Sequence, residues 1–117
     1  TINSRSEVSL EREITFGMSK QKWKGVPIIS ANMDTTGTFE VYNCLKKYKI
    51  VTALHKFYTL EDYQNCDRAF TGLDPNYFMV STGIGDADYE KLTEICEFMT
   101  VKWICIDIAN GYIQDFI

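Results

Sequence analysis

The sequence predicts an α/β fold built on a parallel sheet, and three observations predict it. Four short apolar runs, residues 26–31, 50–54, 77–81 and 103–108, are rich in β-branched or aromatic side chains. They are apolar at both phases of a period-2 alternation, as expected of strands covered on both faces. Their starts, Val26, Ile50, Tyr77 and Trp103, lie 24, 27 and 26 residues apart, the period of a repeating strand–helix unit. Finally, polar residues follow every run: Asn32-Met33-Asp34, His55-Lys56, Ser81-Thr82-Gly83, and Asp107 to Asn110-Gly111. In a parallel sheet all four sets share one rim, where such folds hold their ligands.

Residues before Val26 stand outside the repeat. Residues 6–16 alternate loosely through Val8, Leu10, Ile14 and Phe16, which predicts an extended hairpin. Gly25-Val26-Pro27 predicts a turn into the first strand. Between the first two runs, Val41, Cys44, Leu45 and Tyr48 recur at helical spacing, with Asp34 or Thr35 expected as the N-cap. The second connection carries a weaker stripe of Tyr63, Cys66 and Phe70 and opens with Thr59-Leu60-Glu61-Asp62, the signature of a capping box. The third repeats the helical spacing at Leu92, Ile95, Cys96 and Met99, with Asp86 as its expected cap. Right-handed crossovers lay the strands side by side. Spacing leaves two closures open, a doubly wound open sheet or a barrel of about eight units. Four units would leave a barrel half built, with apolar edges exposed.

The 117 residues allow one domain over 1–117, with 45% hydrophobic and 24% charged side chains. The formal charge of −4 argues against a nucleic-acid partner, which favours a basic stripe. The lysines at 46–47 and between 20 and 24 read as solvated faces. No apolar run reaches membrane-spanning length, and no signal pattern opens the chain. The first residue is Thr1, so a natural start further upstream is expected. Cys44, Cys66, Cys96 and Cys105 include no Cys-x-x-Cys pair, and His55 is the single histidine, so no metal site is expected. Three of the four cysteines fall at apolar positions, which predicts buried, reduced thiols in a cytoplasmic protein. Phe78, Met79, Met99 and Trp103 read as core. No Ser-His-Asp or Cys-His constellation is available.

At the rim, each residue has two readings. Asp34 is a helix cap or a ligand contact. His55 is a hydrogen-bonded core residue or a functional one. Lys56 at a strand end suits an anion such as phosphate, unless it is a solvated lysine. Asp107 follows a buried run and needs partners; ribose hydroxyls or a structural network both serve. Ser81-Thr82-Gly83-Ile84-Gly85 lets backbone approach a ligand but matches no established phosphate loop.

The motifs together resemble the GMP reductases, within the IMP dehydrogenase/GMP reductase family. The matching stretches are Ser4-Arg5-Ser6-Glu7-Val8, Gly25-Val26-Pro27-Ile28-Ile29, Ala31-Asn32-Met33-Asp34-Thr35, Gly37-Thr38-Phe39, Thr52-Ala53-Leu54-His55-Lys56, and the stretch from Ile104 through Asp107-Ile108-Ala109-Asn110-Gly111-Tyr112. IMP dehydrogenases usually carry a Ser-Pro-Met-Asp-Thr form of the third stretch. The resemblance implies a (β/α)₈ barrel, of which this chain covers about the first four units plus an extended N-terminal segment. It implies NADPH-dependent reductive deamination of GMP to IMP with release of ammonia, a step of purine salvage. It also implies self-association, typically as a homotetramer. In the family a cysteine on a later loop attacks the purine C2, assisted by a threonine and a glutamate. None of these lies in this chain, so no catalytic residue is assigned and the chain alone is expected to be inactive. Ser4 and Arg5 match a segment that contacts the cofactor, across a subunit boundary in one reading. Lys56, Asp107, Ile108 and Ala109 match its cofactor positions, and Asn32 and Met33 the rim under the nucleotide. Phe57 departs from the histidine that many relatives carry after the His-Lys pair. The alternatives are an IMP dehydrogenase, oxidising IMP with NAD, or a non-catalytic nucleotide-binding fragment.

Overall fold

A computed structural model describes residues 3–69, 72–112 and 114. Phe70, expected in the second helical stripe, and residues 1–2 of the single 1–117 domain lie outside the described residues.

After a 3₁₀ turn at Arg5–Glu7, the chain forms β1 (Arg12–Thr15), β2 (Lys22–Ser30), α1 (Phe39–Leu45), β3 (Ile50–Leu54), α2 (Leu60–Ala69), β4 (Phe78–Thr82), α3 (Asp86–Phe98) and β5 (Ile104–Ile106). The five strands lie in chain order. β1 pairs antiparallel with β2, and the pairs β2–β3, β3–β4 and β4–β5 are parallel. The α/β fold with a mainly parallel sheet is therefore the one the repeat predicts.

Residues 6–16 do not form a hairpin by themselves: they supply one arm, β1, and the other arm is the front of β2. Arg12 pairs with Gly25 and Thr15 with Lys22. Gly25-Val26-Pro27 is consequently not a turn. It lies inside a nine-residue strand whose register against β3 shifts between Val26 and Ile29. Pro27 lacks an N–H for a ladder, and an irregularity of this kind is where a strand accommodates it. Gly25 is required there: a Cβ would stand 2.6 Å from both the Lys49 carbonyl oxygen and the Trp23 ring.

The helices cover one face of the sheet. Tyr42 of α1, Tyr63 and Cys66 of α2 and Ile95 of α3 pack with Leu54, Phe78 and Val80. The opposite face carries Trp23, Val51, Ala53 and Met79, joined by Phe16, Trp103 and Cys105. This second face is concave. Neighbouring strands sit about 4.8 Å apart, so β2 and β5 of a flat sheet would be separated by roughly 14 Å, with side chains perpendicular to it. Instead the Trp23 and Trp103 rings stand 6.1 Å apart, and Asn32 Nδ2 lies 3.8 Å from Cys105 Sγ. Only a curled sheet brings the ends of this face together.

Burial on both faces holds for β3 and β4 but not for the outer strands. Ile28, Ile29, Ile104 and Ile106 are each about half exposed, because no described element covers the free edges of β2 and β5. The cysteines also depart from expectation. Cys66 is buried, Cys105 half-buried, and Cys44 and Cys96 exposed, all as free thiols. The helical stripes are wider than the ridges that touch the sheet, so their outermost thiols face solvent.

Local signals set the helix starts. Thr59 and Asp62 cap α2 reciprocally: the Thr59 N–H donates to the Asp62 carboxylate (2.8 Å), and the Asp62 N–H to the Thr59 hydroxyl (3.2 Å). The cap of α1 is Thr38, whose hydroxyl accepts from the Val41 N–H at 3.2 Å, not Asp34 or Thr35. Those two residues are used in a turn that closes when the Gly37 N–H donates to the Met33 carbonyl. Asp86 is the first helical residue of α3 rather than its cap. Gly85 holds the cap position, and its N–H donates to the Asp88 carboxylate at 3.1 Å. Among the described residues, no helix is long and apolar enough to cross a membrane.

Candidate functional site

Parallel pairing puts the C-terminal ends of β2–β5 on one rim, and three of the expected site residues meet there. Lys56, just past β3, places its ammonium 3.7 Å from a carboxylate oxygen of Asp107, just past β5. Asn32, past β2, reaches across the concave mouth to Cys105. The backbone fixes these positions. The Asp107 N–H donates to the Thr82 carbonyl at 2.8 Å, and the His55 N–H to the Gly37 carbonyl at 2.9 Å. Lys56 and Asp107 are each more than a third exposed. Such a pair contributes about 0–1 kcal/mol. It is therefore no structural latch, and a ligand can exchange for either partner at little cost.

Met33 is exposed, while its carbonyl accepts from the N–H groups of Thr36 (3.2 Å) and Gly37. Its backbone thus shapes the rim and its side chain is free. Ile108 is half-buried and Ala109 exposed beside Asp107. Ser4 and Arg5 belong to the exposed 3₁₀ turn ahead of β1, where the Ser4 hydroxyl accepts from the Ser6 N–H. No described contact joins those two residues to the rim.

His55 is half-buried and hydrogen-bonded. Its ring stacks on Tyr58 at 3.9 Å, and its Nδ1 accepts from the Phe57 N–H at 3.3 Å. Phe57 is exposed, with the Lys56 ammonium 5.9 Å from its ring centre, so an apolar flank replaces a polar one beside the lysine. Asp34 is exposed and caps no helix.

Three contributors escaped the sequence reading. Cys105 carries the Asn32 contact. Trp103, Cys105 and Asp107 alternate through β5 and the residues that flank it, so a period-2 reading of that run puts all three on the concave face. The Lys91 ammonium of α3 donates to the Lys56 carbonyl and steadies the lysine's backbone. The Asp88 carboxylate closes the Gly83–Gly85 bend, and a Cβ on Gly83 would collide with it. Among the described residues, no group of three metal-ligating side chains forms. A cleft of about 510 Å³ lies away from this rim, at the opposite end of the strands.

A curled, mainly parallel sheet flanked by helices, with its polar residues on the C-terminal rim, defines an α/β scaffold of the barrel type. The fold is similar to that of inosine 5′-monophosphate dehydrogenase from Legionella pneumophila, with a TM-score of 0.71 and 24% identity over 97% of this chain and 33% of that one. The sequence matches the GMP reductase of Citrobacter koseri at 48% identity over the whole chain, and those of Escherichia coli O81 and Shigella boydii at 46%. The chain spans about a third of the length of these relatives, 34% in each case. No family model matches it. Over its whole length the chain is thus similar to GMP reductases, as its motifs indicate.

Proposed function

We propose that the protein carrying this chain is a GMP reductase, which converts GMP to IMP and ammonia at the expense of NADPH. The carrying observation is the match to GMP reductases over the whole chain, with Lys56, Asp107 and Asn32 gathered on one rim in its support. In this reading the chain is the N-terminal part of a single (β/α)₈ barrel domain, about four of eight units. The concave curl favours barrel closure over a flat doubly wound sheet. NADPH when bound supplies the hydride that replaces the purine amino group.

The residues present fit such a ligand. Lys56 offers an accessible ammonium to a phosphate, and the Asp107 carboxylate accepts from a ribose hydroxyl. Either contact replaces a weak, solvent-screened pair, so binding desolvates no strong internal partner. Ile108 and Ala109 line the nicotinamide side. Asn32 and Met33 form the rim beneath the substrate nucleotide. Ser4 and Arg5 lie away from the rim of their own chain, which suits a contact with the cofactor of a neighbouring subunit in a homotetramer. These residues bind and orient; positioning alone accounts for a large part of the barrier reduction in such reactions. The nucleophile and the proton-transfer groups lie outside this chain, which alone is inactive. The whole protein works in the cytoplasm, in purine salvage.

The test is direct. Purified protein carrying this chain is expected to lose nicotinamide absorbance when GMP is added to NADPH, with IMP and ammonia formed in equal amounts. Absence of GMP-dependent oxidation refutes the proposal. NAD reduction driven by IMP would instead place the protein with the dehydrogenases.

A further inference from the structure

The Lys56–Asp107 pair bridges two loops that do not adjoin. Lys56 follows β3 and Asp107 follows β5, with β4 between them. At the usual strand spacing the two residues leave the sheet roughly 10 Å apart, yet their charged groups stand 3.7 Å from each other. Lys56 therefore has to lean across the end of β4. The preceding residue pulls the other way: the His55 N–H donates to the Gly37 carbonyl, in the loop after β2, at 2.9 Å. The opposing hold comes from α3, the helix that follows β4, where the half-buried Lys91 donates its ammonium to the Lys56 carbonyl. Lys91 is itself kept on the sheet side of α3. Ile95, one turn later on the same ridge, is fully buried with Leu54, Phe78 and Val80. Asp88, one turn earlier, accepts from the Gly85 N–H at 3.1 Å and closes the bend after β4. Asp107 is referred to the same strand end, since its N–H donates to the Thr82 carbonyl at 2.8 Å. Every one of these contacts joins two residues of this chain, so none depends on what the rest of a longer protein adds.

We propose that Lys91 is a positioning residue for the cofactor site. It fixes the Lys56 main chain so that the Lys56 ammonium is delivered over β4, to the place where a phosphate of the dinucleotide exchanges for Asp107. The inference rests on the reading of Lys56 as a cofactor contact and deepens it, since it assigns a second lysine that does not touch the ligand. Lys91 acts at one remove, through a neutral carbonyl, and sets where the Lys56 charge stands before the ligand arrives. Preorganisation of this kind favours binding and leaves the chemical step alone. A lysine that merely stabilised α3 would affect cofactor, substrate and turnover alike.

The test is a double-mutant cycle on the whole protein that carries this chain, read by equilibrium titration with NADPH in the absence of GMP. Lys91→Met keeps the aliphatic stem and deletes the ammonium. It is expected to weaken NADPH binding roughly tenfold, the size of one charge-assisted hydrogen bond. The KM for NADPH rises likewise, while kcat and the KM for GMP stay at their parent values. Lys91→Arg, which keeps a cationic donor, restores most of the affinity. In a Lys56→Ala background Lys91→Met has no further effect, because the ammonium that it positions is gone. The Phe57 amide, which donates to His55 Nδ1, exchanges faster in Lys91→Met, a readout that needs no ligand. Lys102→Met removes a lysine bonded to Asn76 Oδ1 at the far end of the strands and does none of this. Additive losses in the double variant, an equal loss of GMP affinity, or unchanged exchange at Phe57 would each overturn the proposal. A parent that binds no NADPH, or binds it as well after Lys56→Ala, overturns it too. A protein that follows the cycle yet does not oxidise NADPH with GMP refutes the reductase reading alone.

Discussion

Gly37 ties the two halves of the rim together, and replacing it with alanine tests that arrangement. The residue sits between Asn32 and α1, with its N–H on the Met33 carbonyl and its carbonyl accepting from the His55 N–H. A Cβ would fall inside the contact radius of the Ala53 carbonyl oxygen, 2.9 Å from Asn32 Cα and 3.0 Å from the Met33 carbonyl oxygen. All three neighbours are backbone, so no side chain can swing aside. Overpacking of this kind costs about 1–3 kcal/mol, and rigid backbone neighbours put it at the upper end. Loss of glycine's freedom in the unfolded chain offsets about 0.4–1 kcal/mol. Gly37→Ala should therefore destabilise by about 2 kcal/mol, a drop of roughly 1 M in the urea midpoint for a typical slope. Because the strain separates the Asn32 loop from the end of β3, cofactor and substrate affinity should fall together. A midpoint within experimental error of the parent would refute the close approach from which the argument starts.

Other outcomes follow from the same contacts. Lys56→Ala in the whole protein should weaken NADPH binding more than GMP binding, as read by separate titrations; equal losses would remove the lysine from the cofactor. Tyr42 is fully buried and its hydroxyl accepts from the Asp74 N–H at 2.7 Å, so Tyr42→Phe should cost about 1–3 kcal/mol by stranding that donor. A chemical-denaturation midpoint checks it, and no change would mean that water replaces the hydroxyl. Burial pushes the Cys66 thiol up from its ordinary value to about 12. In the unfolded chain the thiol ionises at a lower pH, so the stability it contributes is complete below that value. That stability is lost as pH rises from the ordinary thiol range towards 12. Denaturation of Cys66→Ala against the parent across pH 8–10 should show a smaller pH slope in the variant. In the native protein, exposed Cys44 should react with a thiol reagent well before Cys66; early labelling of Cys66 would contradict its packing.

The parts of this fold legible from sequence are those decided locally. β3 spans Ile50–Leu54, as its apolar run predicts, since both faces are covered and the pattern has one solution. The Thr59–Asp62 box needs only four residues and is found where its sequence puts it. Decisions made by tertiary contacts were not legible. The front of β2 reads Lys-Trp-Lys, with one inward residue, and its strand character comes from pairing with β1. The cap of α1 moved to Thr38 because the Met33–Gly37 turn consumes the earlier candidates. The exposure of Cys44 and Cys96 depends on how far each helix stripe extends past its contact ridge. At the site, convergence of the polar residues follows from parallel pairing alone. The contact between Asn32 and Cys105 requires the curvature of the sheet, which no local pattern encodes.

The register shift between Val26 and Ile29 has a consequence for the mouth of the protein. Upstream of it β2 answers to the hairpin, and downstream to the parallel sheet, so one irregular step reconciles two partners with different alternation. Excising a single residue there would leave both pairings individually possible, yet would rotate everything beyond it by half a period. Asn32 would then face the helices instead of Cys105. The direction in which the rim asparagine points is thus set by the count of residues between a valine and an isoleucine several positions away.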